Sequence, residues 1–585
     1  MNVKNKAEAE NWMKVARGTF LIAAMISALT SAGSNVGRGL RPPVTKVRPA
    51  ATIEVDASKP SGPLPRIWSY FGYDEPNFTY SANGKKLLKE LAQLSPVPVY
   101  LRTHNLLTSG DGTGSLKWGS TNAYTEDPRG RPMYDWTIVD RIFDAYQEVG
   151  ARPLVEIGFM PEALTTGPPP YRHNFPIDFA TGWSYPPKDY AKWAELVFQF
   201  AKHLRERYGD AAVKTWLWEI WNEPDIFYWH GTPEDYFKLH DVSADAIRRA
   251  VPGASIGGPD STGPGNNQAE DFLRLFLEHC AHGKNYATGT TGTALDFITF
   301  HPKGSPEWVD EHVRMGPAPQ LKAIDTGFKI VANSPEWRNT PIILGENDPE
   351  GCAACSAKER PQNGYRNESL YGAYAVVILK SAMDLAKEDG VNLQGSVTWA
   401  FQFDGQPYFE GLRELTTNGI DKPILNAFRM LGFLGEIRLT VTSNATIPVR
   451  EIEQTGVSAQ PDLDVIAARK EREVEVLVVN YHDDDVPSDS TAVELVVKGL
   501  PAGLDRALVE QYRLDATDGN AYTEWKQLGR PRHPTSEQYK RLEIAGRLKM
   551  EGRPDSVKVV DGTVRRGFSQ PREGLSLLLF KWDAK

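Results

Sequence analysis

Cysteine is scarce in this chain, whose 585 residues include only three, at positions 280, 352 and 355. A scaffold built from disulfides is therefore excluded, because such scaffolds need a dense set of cysteine pairs. A basic surplus is also missing, since 66 lysines and arginines stand against 75 aspartates and glutamates. The resulting net charge of −9 argues against a nucleic-acid partner, which usually requires a basic surface.

Two further absences concern glycine motifs and long apolar runs. No G-x-G-x-x-G or G-x-x-x-x-G-K-[ST] pattern follows an early strand, so neither a dinucleotide site nor a P-loop has its phosphate cradle. The apolar run at 19–29 is shorter than the roughly 20 residues of a transmembrane helix. No later segment is long and apolar enough to cross a bilayer, so we expect no stable membrane association.

The first 34 residues have the pattern of an export signal. Basic residues precede the apolar run, and small residues follow it at 30–34. We expect residues 1–34 to be a cleaved signal peptide and the protein to be periplasmic or extracellular. An uncleaved membrane anchor is the alternative.

The rest of the chain divides into three regions. Residues 35–60 are predicted to form an N-terminal arm with a strand at 51–56. Residues 61–435 alternate short apolar runs with amphipathic stretches, and eight runs are predicted strands: 67–71, 96–101, 152–157, 214–220, 254–258, 295–300, 341–344 and 395–400. Eight such units predict an α/β protein with a (β/α)8 TIM barrel, although a doubly wound open sheet also alternates.

The C-terminal region, residues 436–585, has a different sequence pattern. Strand-like runs at 473–480, 492–497 and 575–582 are separated by polar loops, which predicts an accessory β-sandwich domain. The strand at 51–56 is expected to join this sandwich, because a lone strand needs a sheet to pair with.

Two glutamates follow predicted barrel strands, where side chains face the active mouth. Glu223 lies in Trp221–Pro224, and Glu346 lies in Gly345–Asp348. Glycoside hydrolysis uses one carboxyl group to protonate the leaving oxygen and a second to attack or to activate water. Asn222, beside Glu223, could donate a hydrogen bond to a sugar hydroxyl. The alternative for each glutamate is a helix cap or a surface residue, but the pairing across two strand ends favours catalysis.

These motifs resemble those of the retaining clan-A glycoside hydrolases. Further similar segments identify the chain as a member of glycoside hydrolase family 39, nearest to the bacterial β-xylosidases: 118–127, 135–140, 158–164, 256–260 and 295–301. The resemblance implies Glu223 as acid/base and Glu346 as nucleophile, acting on an oligosaccharide or glycoside. We expect an exo-acting enzyme that releases xylose from non-reducing ends, with no cofactor and no metal.

Other residues resemble the α-L-iduronidases of the same family. Lys303 is similar to their lysine that binds the substrate carboxylate, and Arg413 to their carboxylate-binding arginine. His104 and Asp404 stand where that group contacts substrate. Two cations in one pocket would suit a uronic acid, so an α-L-iduronidase or β-glucuronidase-like uronidase is the alternative.

Internal pairing offers a second explanation for both cations. Lys303 could pair with Asp348 or Glu346, and Arg413 with Asp404, which would position the carboxylates without giving specificity for acids. We also expect His301 to orient the sugar at the −1 site. A non-catalytic carbohydrate-binding protein is the alternative of another class, and the presence of both glutamates argues against it.

Aromatic and cysteine residues complete the candidates. Phe159 and Trp399 are candidate sugar platforms, although either could simply pack the barrel. In an exported protein we expect one disulfide among the three cysteines, which leaves one thiol.

Overall fold

The computed structural model describes residues 51–175 and 181–583. The predicted signal peptide and the first part of the N-terminal arm lie outside the described residues. In the described part of the chain, none of the helices has both the length and the apolar character needed to cross a bilayer.

Eight parallel strands form a closed barrel, and they follow one another around it in chain order. The strands are Tyr70–Tyr73, Tyr100–Thr103, Arg152–Ile157, Leu217–Ile220, Ser255–Thr262, Phe297–His301, Ile342–Leu344 and Leu393–Trp399. The last strand pairs with the first, with Val397 opposite Tyr70. The predicted (β/α)8 barrel is therefore confirmed, and the open-sheet alternative is excluded by closure.

One long helix follows each barrel strand. These helices are Ala82–Gln93, Thr137–Glu148, Tyr190–Tyr208, Pro233–Ala250, Asn267–His282, Pro317–Ala332, Ser369–Asp389 and Pro423–Gly432. Tyr190–Tyr208 shows why they form: Asp189 caps its N-terminus, and Leu196, Phe200 and Leu204 are buried along one face.

Short elements occupy the connections between strands and helices. Two β-hairpins pair Tyr124–Glu126 with Pro132–Tyr134, and Glu307–Val309 with His312–Arg314. A third pairs Thr416–Thr417 with Ile420–Asp421. The remaining short elements are the helical segments Pro76–Phe78, Gly182–Ser184, Asp210–Val213 and Pro361–Asn367.

A nine-stranded, mostly antiparallel sheet forms the predicted accessory β domain. Its strands are Ala51–Pro63, Ile437–Ser443, Asp462–Lys470, Glu473–Tyr481, Thr491–Lys498, Arg506–Leu514, Asp555–Lys558, Val564–Gln570 and Gly574–Lys581. Three helices accompany them: Val449–Thr455, Ala521–Gln527 and Ser536–Gly546.

The N-terminal strand Ala51–Pro63 lies inside this sheet and is longer than the run at 51–56. It pairs antiparallel with Ile437–Ser443 and parallel with Thr491–Lys498. The strand Glu473–Tyr481 is buried on both faces, because Val476 packs in the core of the sheet and Leu477 packs with the barrel core. Burial on both faces explains its nearly continuous apolar run.

Candidate active site

Glu223 and Glu346 meet at the carboxyl-terminal end of the barrel. They follow the fourth strand, Leu217–Ile220, and the seventh, Ile342–Leu344. One carboxylate oxygen from each glutamate and a ring nitrogen of His301 all lie within 4.8 Å of one another. The two carboxyl groups are therefore close enough to act on one bond.

The backbone around Glu223 holds an unusual conformation. Trp221 and Glu223 both have left-handed backbone angles, with φ of 72° and 42°. The Glu223 amide donates to the carbonyl of Asp260 at 2.8 Å. Such strain persists only where the surroundings impose it, and it is frequent at functional sites.

His301 connects Glu223 to a buried carboxylate. Its Nδ1 lies 3.0 Å from Glu223 Oε1, and its Nε2 lies 2.7 Å from Asp260 Oδ1. Burial lowers the pKa of His301, but the charges of Asp260 and Glu346 raise it to about 10. The ring is then an imidazolium at neutral pH, and both of its nitrogens donate.

Gly345 allows this arrangement to form next to Glu346. A Cβ atom at position 345 would collide with the carboxylate of Asp260 and lie 2.9 Å from His301 Nε2. Glycine at this position is therefore a steric requirement of the site.

Glu346 is surrounded by cationic groups. Its Oε2 accepts from Lys303 Nζ at 2.6 Å, and its Oε1 accepts from Arg102 Nη1 at 3.2 Å. Burial raises the pKa of Glu346, but the charges of Lys303, His301 and Arg102 outweigh burial and hold that pKa well below its usual range. Glu346 is consequently ionised at neutral pH, which is the state that its predicted role as nucleophile requires.

Arg102 is the central residue of the site, and the sequence analysis assigned it no role. Its side chain is fully buried and contacts four carboxylates: Glu156, Glu219, Asp260 and Glu346. Oxygens of Glu156, Glu219 and Asp260 lie within 4.8 Å of one another. Burial raises the pKa of Glu156 and, against the opposing charge of Arg102, the pKa of Glu219 to about 8. In the sequence, the position of Arg102 at the end of a predicted strand was the signal that could have identified it as a site residue.

Asn222 and His104 are both held by this network. Asn222 Oδ1 accepts from Arg102 Nη2 at 3.0 Å. His104 Nδ1 is bonded to Glu156, and its Nε2 lies 3.6 Å from Glu346 Oε1. Burial and the charge of Arg102 hold the pKa of His104 well below its usual range, so this ring is neutral.

Lys303 adopts the internal pairing that the sequence left open. Besides Glu346, its Nζ donates to Asp348 Oδ2 at 2.8 Å. The side chain nevertheless keeps 18% of its surface exposed, against 7% for Glu346 and 12% for Glu223. Lys303 is thus both a partner of the predicted nucleophile and part of the open surface of the site.

Replacing Lys303 with methionine is expected to shift the acidic limb of the kcat/KM profile to higher pH. The cation lowers the pKa of Glu346, so its loss raises that pKa, and the nucleophile becomes protonated at a higher pH. At neutral pH we also expect a loss of about 100-fold from misplacement of Glu346. Steady-state rates between pH 3.5 and 8 measure both effects, and an unmoved acidic limb would contradict this role.

The structure places Arg413 and Asp404 differently from the sequence expectation. Arg413 has no exposed side-chain surface, and its Nη1 donates to Glu350 Oε1 at 3.0 Å rather than to Asp404. Its Nη2 lies 3.6 Å from Asp348. Asp404 instead accepts from Asn83 at 3.0 Å, beside a rim cavity of about 350 Å³. Arg413 therefore supports the site through Asp348 and Glu350, and its side chain has no surface open to a substrate.

Replacing Arg413 with methionine is expected to lower the free energy of unfolding by about 3–5 kcal/mol. Removing this cation leaves the carboxylates of Glu350 and Asp348 with less positive charge to balance them in the protein interior. Denaturant unfolding measures the loss. Arg565→Met is the matched control, because Arg565 pairs with Glu494 at an exposed surface and its loss should change stability little. Equal stability of the two variants would contradict the role of Arg413.

Phe159 and Trp399 are packed within the barrel, with 2% and 1% of their surfaces exposed. Phe159 contacts Trp183 at 4.4 Å between ring centroids. Trp399 donates through Nε1 to Asp74 at 3.0 Å, and its ring lies 4.3 Å from His104. Their burial fits the packing alternative better than an open sugar platform.

The expected disulfide joins Cys352 and Cys355, and Cys280 is a buried thiol. Arg366 donates to the carbonyl oxygens of Cys352 and Cys355 at 2.8 and 2.7 Å. It also pairs with Glu350 at 2.6 Å. Arg366 thereby links the disulfide loop to Glu350, the carboxylate that also pairs with Arg413.

The barrel and its paired glutamates define the protein as a glycoside hydrolase. The model for glycosyl hydrolases family 39 matches residues 51–560, and the chain belongs to this family. A β-xylosidase of Caldicellulosiruptor saccharolyticus is 28% identical over 71% of this chain and 76% of the relative. Human α-L-iduronidase is 27% identical over 86% of this chain and 75% of the relative.

A solved structure shows the same fold. The crystal structure of a β-xylosidase from Caulobacter crescentus superposes with a TM-score of 0.71 at 23% identity. The match covers 92% of this chain and 100% of that one.

Proposed function

We propose that the protein is an exo-acting β-xylosidase that retains the anomeric configuration. The main support is the short distance between Glu223 and Glu346, since a carboxylate oxygen of one lies within 4.8 Å of a carboxylate oxygen of the other. Retaining glycosidases hold their carboxyl groups about 5–5.5 Å apart, whereas inverting enzymes leave about 6.5–9.5 Å for a water molecule. The separation here supports direct attack by a carboxylate.

In the first step, Glu346 attacks the anomeric carbon of the non-reducing sugar. A bond forms between its carboxylate oxygen and that carbon, while the bond to the leaving oxygen breaks. Glu223 gives its proton to the leaving oxygen. His301 holds the Glu223 carboxyl group at 3.0 Å, which fixes its position for this transfer.

In the second step, water hydrolyses the glycosyl ester on Glu346. Glu223 is now a carboxylate and removes a proton from water as the oxygen attacks the anomeric carbon. The ester bond breaks, Glu346 regains its charge, and its cationic neighbours stabilise that charge. Two displacements at one carbon return the original configuration.

A neutral pentose is supported by the pairing of the cations in the described part of the site. Lys303 contacts Glu346 and Asp348, and Arg413 contacts Glu350. A substrate carboxylate would have to compete with these partners. The β-xylosidase relatives agree with this preference.

A uronidase is the second candidate, and the exposure of Lys303 favours it. The Lys303 side chain has the largest exposed fraction among Lys303, Glu346 and Glu223. A uronate could therefore reach Lys303 from the exposed side, where it would share the ammonium group with Glu346 and Asp348. The α-L-iduronidase relative also matches along most of the chain.

A panel of glycosides tests the sugar. We expect kcat/KM for 4-nitrophenyl β-D-xyloside to exceed that for the β-D-glucuronide and for 4-methylumbelliferyl α-L-iduronide by at least about 100-fold. A preference for either uronide would replace the xylosidase proposal. Binding of xylobiose without cleavage of any glycoside would favour the non-catalytic alternative. Loss of activity in Lys303→Ala cannot decide between sugars, because Lys303 also contacts Glu346.

We also propose that the protein is exported, on the sequence pattern of residues 1–34. N-terminal sequencing of protein recovered from the periplasm or the culture medium tests this. A mature start near residue 35 is expected, and retention of Met1 in cytosolic protein would contradict it.

A further inference from the structure

Phe227 is an exposed aromatic residue four positions beyond Glu223. Its surface is 44% exposed, whereas its neighbours Tyr228 and Trp229 are buried at 7% and 5%. The proposed mechanism gives it no role, and its ring leaves apolar surface open to the solvent. Its place in the loop after the acid/base residue makes it a candidate for ligand contact.

The loop that carries Phe227 is fixed by hydrogen bonds on both sides. The Ile226 amide donates to the Glu223 carbonyl at 3.2 Å, and the Trp229 amide donates to the Ile226 carbonyl at 3.0 Å. Trp221 Nε1 donates to the Tyr228 carbonyl at 2.9 Å. Because the fold already orders this loop, a ligand that contacts Phe227 meets a preformed surface.

Neighbouring aromatic rings connect Phe227 to the interior of the site. The Phe227 and Tyr228 rings lie 4.8 Å apart at an interplanar angle of 25°. Tyr228 in turn lies 6.3 Å from the ring of His104, whose Nε2 is 3.6 Å from Glu346. Phe227 is thus the exposed end of an aromatic series that starts beside the predicted nucleophile.

The chemistry fixes which part of the substrate reaches this position. Glu223 must contact the glycosidic oxygen, and the aglycone is the group on the far side of that oxygen. The aglycone therefore begins at Glu223, and the loop that carries Phe227 directly follows that residue in the chain.

We propose that Phe227 is the binding platform for the aglycone, and that it stacks against a flat ring such as a second xylosyl unit or an aryl group. This inference rests on the proposed roles of Glu223 and Glu346. Phe227 would then determine specificity for the leaving group and contribute nothing to recognition of the sugar at the −1 site.

Substrates with and without a ring in the aglycone separate these contributions. We compare xylobiose and 4-nitrophenyl β-D-xyloside with β-D-xylosyl fluoride, whose leaving group is a single atom. Phe227→Ala should lower kcat/KM for the two ring-bearing substrates by about 2- to 12-fold more than for the fluoride, as expected for loss of one ring contact. Phe227→Trp should restore the ratio.

Leu275→Ala is the matched control. Leu275 is 53% exposed and lies on the outer helix Asn267–His282, so its loss should leave all three rates unchanged. An equal loss on all three substrates in Phe227→Ala would overturn the proposal, and so would an unchanged ratio.

Failure of the proposed function gives a different result. Wild-type enzyme that cleaves iduronides instead of xylosides would correct the sugar, and the same ratio would then be measured with 4-methylumbelliferyl α-L-iduronide and α-L-iduronosyl fluoride. Wild-type enzyme that cleaves no glycoside would overturn both proposals.

Discussion

Replacing Glu346 with alanine is expected to lower kcat/KM for 4-nitrophenyl β-D-xyloside by about 10⁵-fold or more, as for loss of other covalent nucleophiles. The variant cannot form the glycosyl ester, and Arg102 and Lys303 lose the carboxylate between them. Steady-state kinetics with active-site titration of the wild-type enzyme measure the loss. Glu359→Ala is the control, because Glu359 is an exposed glutamate in the loop after the same strand.

Azide provides a second measurement on Glu346→Ala. The anion fits the space left by the carboxylate and attacks the anomeric carbon from the same face, while Glu223 still protonates the leaving group. The product should be the glycosyl azide of inverted configuration. A variant that keeps more than a tenth of wild-type activity would contradict the role of Glu346 as nucleophile.

Replacing Glu223 with alanine is expected to cause a loss that depends on the leaving group. For xylobiose, whose leaving alkoxide needs a proton, we expect a fall of about 10²- to 10⁴-fold. For 2,4-dinitrophenyl β-D-xyloside the first step should be far less impaired, because that phenolate leaves without protonation. Pre-steady-state kinetics should then show accumulation of the glycosyl-enzyme, since water lacks its base.

Azide distinguishes this variant from the previous one. Azide should accelerate turnover of the activated substrate by Glu223→Ala and give the glycosyl azide of retained configuration. It attacks the anomeric carbon of the glycosyl ester from the face of Glu223, and the Glu346 carboxylate leaves. Glu278→Ala, an exposed glutamate on the helix Asn267–His282, is the control. An equal loss for good and poor leaving groups would contradict an acid/base role.

The barrel strands were predictable because short apolar runs alternate with amphipathic stretches, and several of these runs end in polar residues. Arg152–Ile157 has the predicted bounds. The run predicted at 96–101 is displaced, because the observed strand is Tyr100–Thr103. Pro96 and Pro98 lack the amide hydrogen that a ladder needs, which delays pairing to Tyr100. The observed strand extends to Thr103 and so contains Arg102, whose side chain is fully buried.

The two glutamates were predictable from the strand-end pattern, but their supporting network was not. Arg102 bonds Glu219 and Asp260, which are 117 and 158 residues away, and no local pattern shows such contacts. A charged residue near an apolar run usually faces water, so burial of Arg102 follows only from the convergence of carboxylates in the closed barrel.

Lys303 and Arg413 also show which contacts could be predicted from the sequence and which could not. The sequence placed Lys303 near Asp348 and Glu346, which the structure contains, since all three follow neighbouring strands. It predicted that Arg413 and Asp404 contact the substrate and left an Arg413–Asp404 pair as the alternative, whereas the structure pairs Arg413 with Glu350. The observed partner lies 63 residues from Arg413 in the chain, and no local pattern shows such a contact.

The most direct test is the configuration of the first sugar released, followed by proton NMR before mutarotation. The proposed double displacement predicts that 4-nitrophenyl β-D-xyloside gives β-xylose first, because Glu346 and then water each invert the same carbon. Initial release of α-xylose would mean that a single displacement takes place, and Glu346 would then not be the attacking group.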